Sequence, residues 1–323
     1  MANGTSGLEF EKPIKEIERK IEELETSTLE KDLEELARLK ETCANLKREI
    51  FSKLTPWERV QVSRLSDRPQ TSDYLGLVFT DWVELHGDRL FSDDRAILTG
   101  FARLNGRRVV VIGHQKGKTV RERVRSFFGC AHPEGYRKAL RVMKLAEKFG
   151  LPVVTLIDTP GAYPGVGAEE RGQFSAIATN LMEMARLRAP IMSVVIGEGG
   201  SGGALGIGVG DRLAILEHAY YSVISPEGCA AILWKNGESM DQAATALKLT
   251  AKDLMELGMA DDILTEPLGG AHRDPKAMAQ DIKEVLTKYL DELEKVPMDE
   301  LLERRYQRFR HMGKFLETPA KAS

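Results

Sequence analysis

The chain has 323 residues, 42% of them apolar and 29% charged, so it is long enough to bury a sizeable core. Lysine and arginine number 46 against 49 acidic residues, and the net charge of −3 excludes a generally basic nucleic-acid binder or a polybasic membrane protein. No apolar run approaches the ~18 residues of a membrane span, no secretory signal is visible, and three cysteines without a CxxC pair predict a cytoplasmic protein without a structural zinc site.

Residues 1–55 are predicted to form a helical arm of two helices. A first apolar seam at helical spacing is interrupted at residues 26–28, and a second seam follows. The first contains Ile14, Ile17, Ile21 and Leu24, and the second contains Leu29, Leu33, Leu36, Cys43, Leu46 and Ile50. Seams this short rarely stay helical alone in water, so the arm packs on its own core or on another subunit. The sequence leaves both alternatives open.

Residues 56–295 are predicted to form the core. Pro56 and the polar stretch 63–72 indicate a linker. Two extended runs, 97–104 and 108–114, then flank Asn105-Gly106, which is typical of a type I′ hairpin turn. After the hairpin, helices at 133–149 and 174–187 alternate with strands at 151–157, 191–196, 213–216 and 220–224. This alternation predicts an α/β fold with parallel pairing. The chain turns helical again from residue 275, and residues 296–323 are predicted to form a C-terminal helical tail.

Two glycine-rich loops follow predicted strands, where α/β sheets form their sites. The loop at 158–172 has two prolines and four glycines. The loop that begins at Gly197 has eight glycines by Gly210. Glycine costs conformational entropy, so this density indicates close backbone approach or a row of free N–H groups aimed at an anion.

The second loop matches three motifs. A GxGxxG pattern at 197–202 resembles a dinucleotide fingerprint, but further glycines interrupt the long helix that this motif needs. A GxSxG pattern at 199–203 fits the nucleophile elbow of a serine hydrolase, with Ser201 as nucleophile. Its acid and base would be Asp211 or Glu217, then His218 or His272. The third possibility is an oxyanion hole of backbone N–H groups at a helix start.

Six strings spread in order along the chain carry a more specific signal. They are IGHQKG (112–117), PEGYRKAL (133–140), the loop at 158–172, GEGGSGGAL (197–205), YSVISPEGC (221–229) and PLGGAHR (267–273). Together they closely resemble the carboxyltransferase α-subunit family of multi-subunit acetyl-CoA carboxylases. The resemblance covers almost the whole chain and implies a crotonase-like (ClpP/crotonase) spiral of ββα units between the helical arm and the C-terminal helices.

The same resemblance implies a carboxyl transferase that is active only with a β subunit, as an α2β2 assembly in which the β subunit alone carries zinc. The pair would move the carboxyl group from carboxybiotin to acetyl-CoA, forming malonyl-CoA for fatty-acid synthesis. The biotin would be held on the biotin carboxyl carrier protein and charged by biotin carboxylase. The alternative is a stand-alone crotonase-like or serine hydrolase that uses Ser201.

The resemblance also assigns site residues. The N–H groups of Gly202 and Gly203 would bind the biotin ureido oxygen, with Gly161 and Ala162 as weaker candidates that shape the same pocket. Carboxyl transfer places negative charge on that oxygen and on the enolate oxygen of acetyl-CoA, and preorganised N–H donors stabilise such charge. Ser201 would then be a small turn residue.

Residues 101–148 hold thirteen lysines and arginines and only three acidic residues. This excess predicts either a solvated surface or a face for coenzyme A phosphates, an acidic carrier protein or nucleic acid. Lys116 and Lys118, in a glycine-flanked loop after a strand, are the predicted phosphate contacts. Asp158, at a predicted strand end, would either orient its loop or contact substrate. No metal site is predicted in this chain.

Overall fold

The alternation of apolar runs and amphipathic segments folds into a mixed sheet covered by helices. The structure, a computed structural model, describes residues 8–25, 30–235 and 239–313. Its strands are β1 (Thr80–Glu84), β2 (Ile97–Leu104), β3 (Arg107–His114), β4 (Val153–Thr159), β5 (Ile191–Gly200), β6 (Arg212–Leu216), β7 (Tyr220–Ser222) and β8 (Asp262–Leu264). Its helices are α1 (Lys12–Glu25), α2 (Glu30–Ser52), α3 (Pro56–Ser63), α4 (Thr71–Val78), α5 (Val120–Arg125), α6 (Pro133–Phe149), α7 (Val166–Glu170), α8 (Gln173–Arg186), α9 (Ser201–Leu205), α10 (Pro226–Leu233), α11 (Met240–Leu247), α12 (Ala251–Glu256), α13 (Pro275–Leu293) and α14 (Met298–Arg310).

The strand order across the sheet is β1-β2-β3-β4-β5-β6-β8, and β7 pairs with the end of β5. The pairs β1–β2 and β2–β3 are antiparallel, and the pairs β3–β4, β4–β5 and β5–β6 are parallel. The predicted hairpin is confirmed, because Asn105 and Gly106 have φ of 48° and 80°, as a type I′ turn requires. Parallel pairing brings the carboxyl ends of β3, β4 and β5 to one edge of the sheet.

The centre of the sheet is fully buried from solvent. Every residue of β4 and β5 is buried, which explains why both read as continuous apolar runs without alternation. The predicted helix at 133–149 is confirmed as α6, whose buried stripe packs on β2 and β3 and which ends at Gly150 with φ 61°. β2, β3 and α6 therefore form one ββα unit.

Two expectations about loops are wrong. The polar stretch 63–72 is not an exposed linker, because it includes the end of α3, the start of α4 and a buried Arg68 that forms a bidentate ion pair with Glu266. Polar side chains in this stretch, such as that of Arg68, form hydrogen bonds to buried partners rather than to water. Residues 197–200, expected to be loop, extend β5, because Glu198 and Gly199 pair with β7.

The predicted two-helix arm is present as α1 and α2, which pack against each other, while residues 26–29, including Leu29 of the second seam, lie outside the described ranges. Ile14, Cys43 and Phe51 are buried with Leu54 in a separate cluster at the base of the arm. The base therefore packs on its own chain. Leu33, further out on the second seam, is 53% exposed. A contact between this part of the arm and another subunit stays a prediction.

A buried ion pair fastens α14 to the core. Arg305 is 1% exposed and donates to both oxygens of Asp211, at 2.8 and 2.7 Å. Its remaining N–H groups donate to the carbonyls of Met184, Leu187 and Ala189. Across the described residues, none of the helices has both the length and the apolar character that a membrane crossing needs.

Candidate functional site

The two glycine-rich loops meet at the carboxyl ends of β4 and β5. A Cβ on Gly200 would lie 2.2 Å from the Pro160 carbonyl oxygen, and a Cβ on Gly203 would lie 2.5 Å from the Ala162 nitrogen. Both distances are too short for any side chain, so glycine is required where the two backbones touch. The structure thus brings Gly161, Ala162 and Gly203, which come from two different loops, into one place.

Ser201 makes the turn from β5 into α9. Its φ of 50° lies in the left-handed region, a conformation that costs a non-glycine residue about 1–3 kcal/mol. The turn starts a helix at once, and the first N–H groups of a helix have no acceptor within it. Gly202 is half-buried and borders a cavity of about 220 Å³. The other residues that line this cavity are Ser201, Leu205, Tyr221, Ser222, Val223, Leu247, Lys248, Leu254, Leu257 and Met259.

Buried side chains support α9 from below. The Tyr136 hydroxyl donates to the Gly203 carbonyl at 3.3 Å, and the Asn180 side chain donates to the Gly206 carbonyl at 2.8 Å. A Cβ on Gly206 would lie 2.6 Å from the Tyr136 ring, so the helix rests directly on that ring. Both supports are buried, and they fix the height of the short helix above the sheet.

His114 ends β3 and is fully buried near the same residues. Burial, together with the positive charge of Lys116, lowers the pKa of His114 to about 3. The imidazole is therefore neutral at physiological pH. Its Nδ1 lies 3.4 Å from the backbone nitrogen of Asp158. His114 is thus part of the packed floor of the site.

The Lys116 side chain is largely shielded from solvent. Its Nζ lies 2.6 Å from Asp158 Oδ1 and 2.7 Å from Glu198 Oε2, and its side chain is 17% exposed. Burial alone would lower the pKa of Lys116, but the two carboxylates outweigh it and raise that pKa. The sequence predicted Lys116 as a phosphate contact, but in the folded chain its ammonium group already forms ion pairs with two carboxylates.

The ion-pair network continues from Glu198 to α3. Glu198 accepts from Arg64 Nε at 2.7 Å and from the Tyr220 hydroxyl at 3.0 Å, and Arg64 also pairs with Glu227. Burial would raise the pKa of Glu198, but Lys116 and Arg64 hold it at about 2. Alongside lies a polar cavity of about 240 Å³ that Arg64, Lys116 and Glu198 help to line.

Acids outside the segment pair with about half of the basic residues at 101–148. Ion pairs run from Arg107 to Asp291, from Arg137 to Asp88 and from Lys138 to Asp93. Lys118 pairs with Asp73 at 2.6 Å but remains 47% exposed, so of the two predicted phosphate contacts it is the more accessible.

Of the predicted hydrolase partners, Asp211 and His218 bond to other groups instead of to Ser201. Asp211 accepts from the backbone N–H of Ile191, the first residue of β5, whereas Ser201 follows the last. With ten residues in β5, the two side chains lie about 30 Å apart along the strand. His218 contacts Arg59, with Nδ1 to Nη1 at 3.0 Å, and packs on Phe51. The serine hydrolase alternative is therefore not supported.

Metal ligation has no support in the described part of the chain, where no three histidine, cysteine or acidic side chains are grouped to hold an ion. All three cysteines are free.

Sequence reasoning missed Arg64, Tyr136 and Glu198. Glu198 gave a signal that could have been used, since a lone acid directly after a buried apolar strand and among glycines needs a buried cation. Arg64 and Tyr136 lie on other elements, far along the sequence from the loops, and no local pattern connects them to the site.

Comparison with known proteins finds matches over nearly the whole chain. The family model described as acetyl co-enzyme A carboxylase carboxyltransferase-like matches residues 7–313. An acetyl-coenzyme A carboxylase carboxyl transferase subunit alpha of Geobacter sulfurreducens is 60% identical over 312 residues, 96% of this chain and 98% of that protein. The subunit of the same name from Rhodopirellula baltica is 56% identical over 315 residues, with 96% and 98% covered.

Solved structures show the same fold at low sequence identity. A transcarboxylase 12S structure with methylmalonyl-coenzyme A matches with a TM-score of 0.57 at 22% identity, covering 72% of this chain and 44% of that one. A Pseudomonas malonate decarboxylase hetero-tetramer in complex with coenzyme A matches with a TM-score of 0.55 at 18% identity, covering 68% and 88%. The predicted α/β crotonase-like fold is confirmed.

Proposed function

The chain belongs to the carboxyltransferase α-subunit family of acetyl-CoA carboxylase and is a carboxyl transferase, and on that premise we propose which groups it moves and how. The donor is carboxybiotin, tethered to a biotin carboxyl carrier protein. The acceptor is acetyl-CoA, and the product is malonyl-CoA. The observation that supports this most is the close contact of Gly203 with the backbone of Gly161 and Ala162 beside the turn at Ser201.

That contact suits a reaction whose difficulty is oxyanion charge. When the carboxyl group leaves biotin, the ureido oxygen gains negative charge, and fixed N–H donors in a dry site stabilise such charge by about 3–4 kcal/mol each. The Gly202 and Gly203 N–H groups supply these donors. No side-chain nucleophile is needed, because the enolate carbon of acetyl-CoA itself forms the bond to the CO2 that leaves biotin. No side-chain base is needed either, because the biotin nitrogen can take the proton from the methyl group of acetyl-CoA. Ser201 then serves as the turn residue that starts α9.

The cavity of about 220 Å³ beside Gly202 receives the biotin ring. Its walls are mainly apolar, including Leu205, Leu254 and Met259, and such walls suit a largely apolar bicyclic group whose one polar oxygen points to backbone donors. Lys118 lies outside this cavity and, as the accessible lysine of its loop, contacts a coenzyme A phosphate.

The site for the second substrate, acetyl-CoA, is completed by a partner subunit. Because the family name denotes an α subunit, we propose that the partner is a zinc-bearing β subunit of the same fold in an α2β2 assembly. This assembly acts with the carrier protein and biotin carboxylase. Free cysteines fit a reducing compartment, and we propose the cytoplasm.

The function is tested by reconstitution. The purified chain alone should form no malonyl-CoA from carboxybiotin and acetyl-CoA, and addition of the β subunit should start the reaction. Hydrolytic activity of the chain alone, with fluorophosphonate labelling that Ser201→Ala abolishes, would contradict the proposal. Lys118→Glu should raise the KM for acetyl-CoA several-fold if this lysine contacts phosphate, and an unchanged KM would remove that role.

A further inference from the structure

One buried ammonium group joins the ends of three neighbouring strands. Lys116 comes two residues after the end of β3, Asp158 lies near the end of β4, and Glu198 lies near the end of β5. Lys116 Nζ contacts a carboxylate oxygen of each, at 2.6 and 2.7 Å. The Asp158 and Glu198 side chains are almost fully buried, and the ammonium is the cation that pairs with Asp158, whereas Glu198 also pairs with Arg64.

The two carboxylates lie where the β4–β5 ladder is irregular. Ile157 pairs with Val195, but the next pair is Thr159 with Gly199, so three residues of β5 face one residue of β4. Within this bulge, the Glu198 backbone N–H donates to Asp158 Oδ1 at 2.9 Å, in place of a regular ladder bond. A Cβ on Gly197 would lie 2.4 Å from the same oxygen, so the carboxylate is closely enclosed. The bulge thus depends on the Asp158 carboxyl group and on the ammonium that contacts it.

The predicted oxyanion groups follow this bulge directly. Gly161 comes three residues after Asp158, and Gly202 comes four residues after Glu198. Between them the two loops touch backbone to backbone, with no room for a methyl group at Gly200. A shift of the bulge therefore moves both loops together, and with them the N–H groups of α9.

We propose that Lys116 is a positioning residue for carboxyl transfer, whose ammonium group holds the β5 bulge and so aims the Gly202 and Gly203 N–H groups, instead of binding a coenzyme A phosphate. The proposal rests on the proposed function. Without the ammonium, Asp158 would be a buried carboxylate that has lost its ion pair, next to a Glu198 that keeps its ion pair with Arg64. The Asp158 carboxylate would turn away, and the hydrogen bond that shapes the bulge would weaken.

The test uses Lys116→Met in the complex with the β subunit, and Lys288→Met as the matched control, because Lys288 on α13 also pairs with a carboxylate, Asp262 at 3.1 Å, outside the site. Methionine keeps the length and most of the volume of lysine but removes its charge. We expect Lys116→Met to lower kcat by about 10- to 100-fold, as expected for oxyanion donors misplaced by a fraction of an ångström, with little change in the KM for acetyl-CoA. Lys288→Met should leave kcat near that of the wild type.

An increase in KM at least as large as the loss in kcat would overturn the proposal, because it would show that Lys116 binds coenzyme A. An unchanged kcat would overturn it as well. If Lys116→Met does not fold, Glu198→Gln carries the same test by the same criteria, since it removes one ion pair of Lys116 and hardly alters shape. A wild-type complex that forms no malonyl-CoA would instead contradict the proposed function itself.

Discussion

The contact between the two glycine-rich loops predicts losses of kcat of different size for the same substitution at two adjacent glycines. A Cβ on Gly203 would lie 2.5 Å from the Ala162 nitrogen, whereas ordinary contact begins at 3.4 Å, so the loops must part by roughly 0.9 Å to admit one methyl group. A Cβ on Gly202 would meet only Ile177 side-chain atoms, at 3.8 Å. Both substitutions add one methyl group to α9 and keep the backbone N–H.

A displacement of about 1 Å in catalytic groups costs on the order of 100-fold in rate, or about 2.7 kcal/mol of barrier. Gly203→Ala should therefore lower kcat for malonyl-CoA formation by about 100-fold, with the α/β complex still assembled by size-exclusion chromatography. Gly202→Ala should keep at least about one tenth of the wild-type kcat, the fraction that remains after a loss of roughly 1.4 kcal/mol. If Gly203→Ala is as active as Gly202→Ala, the close loop contact does not set the geometry of the site.

Three further outcomes are expected. Arg305→Met should lower the free energy of unfolding in urea by about 3–5 kcal/mol, because it leaves Asp211 buried without its cation, and a loss under 1 kcal/mol would contradict this. Tyr136→Phe should lower kcat only a few-fold and stability by about 1 kcal/mol, since it removes one hydrogen bond to Gly203, whereas a 100-fold loss would point to a direct catalytic role. Burial would raise the pKa of Glu266, but Arg68 holds it at about 2, below its unfolded value of 4.5. The contribution of Glu266 to stability is therefore complete above about pH 4.5 and is lost between pH 4.5 and pH 2, at up to about 1.4 kcal/mol per pH unit. Glu266→Gln should accordingly reduce the pH dependence of the free energy of unfolding in that range.

Much of the fold follows from local chemistry that the sequence displays. The Asn105-Gly106 turn, the helix ended by Gly150 and the two buried strands are each specified by residues within a few positions of one another. Their bounds agree with the structure to within a few residues, apart from the carboxyl end of β5. That end was missed because glycines read as loop, although pairing with β7 makes it strand. The polar stretch around Arg68 was misread for a related reason, since its partner Glu266 lies far along the chain.

The sequence by itself determined that glycine-rich loops follow two buried strands, because glycine density and strand ends are local properties. Its resemblance to a known family then named Gly161, Ala162, Gly202 and Gly203. Only the tertiary structure decided that these loops touch. It also decided which groups Lys116 contacts, since the charge of a lysine is visible in sequence but its partners are not. Asp158 and Glu198 lie 42 and 82 residues away and reach Lys116 only because parallel pairing brings three strand ends to one edge of the sheet.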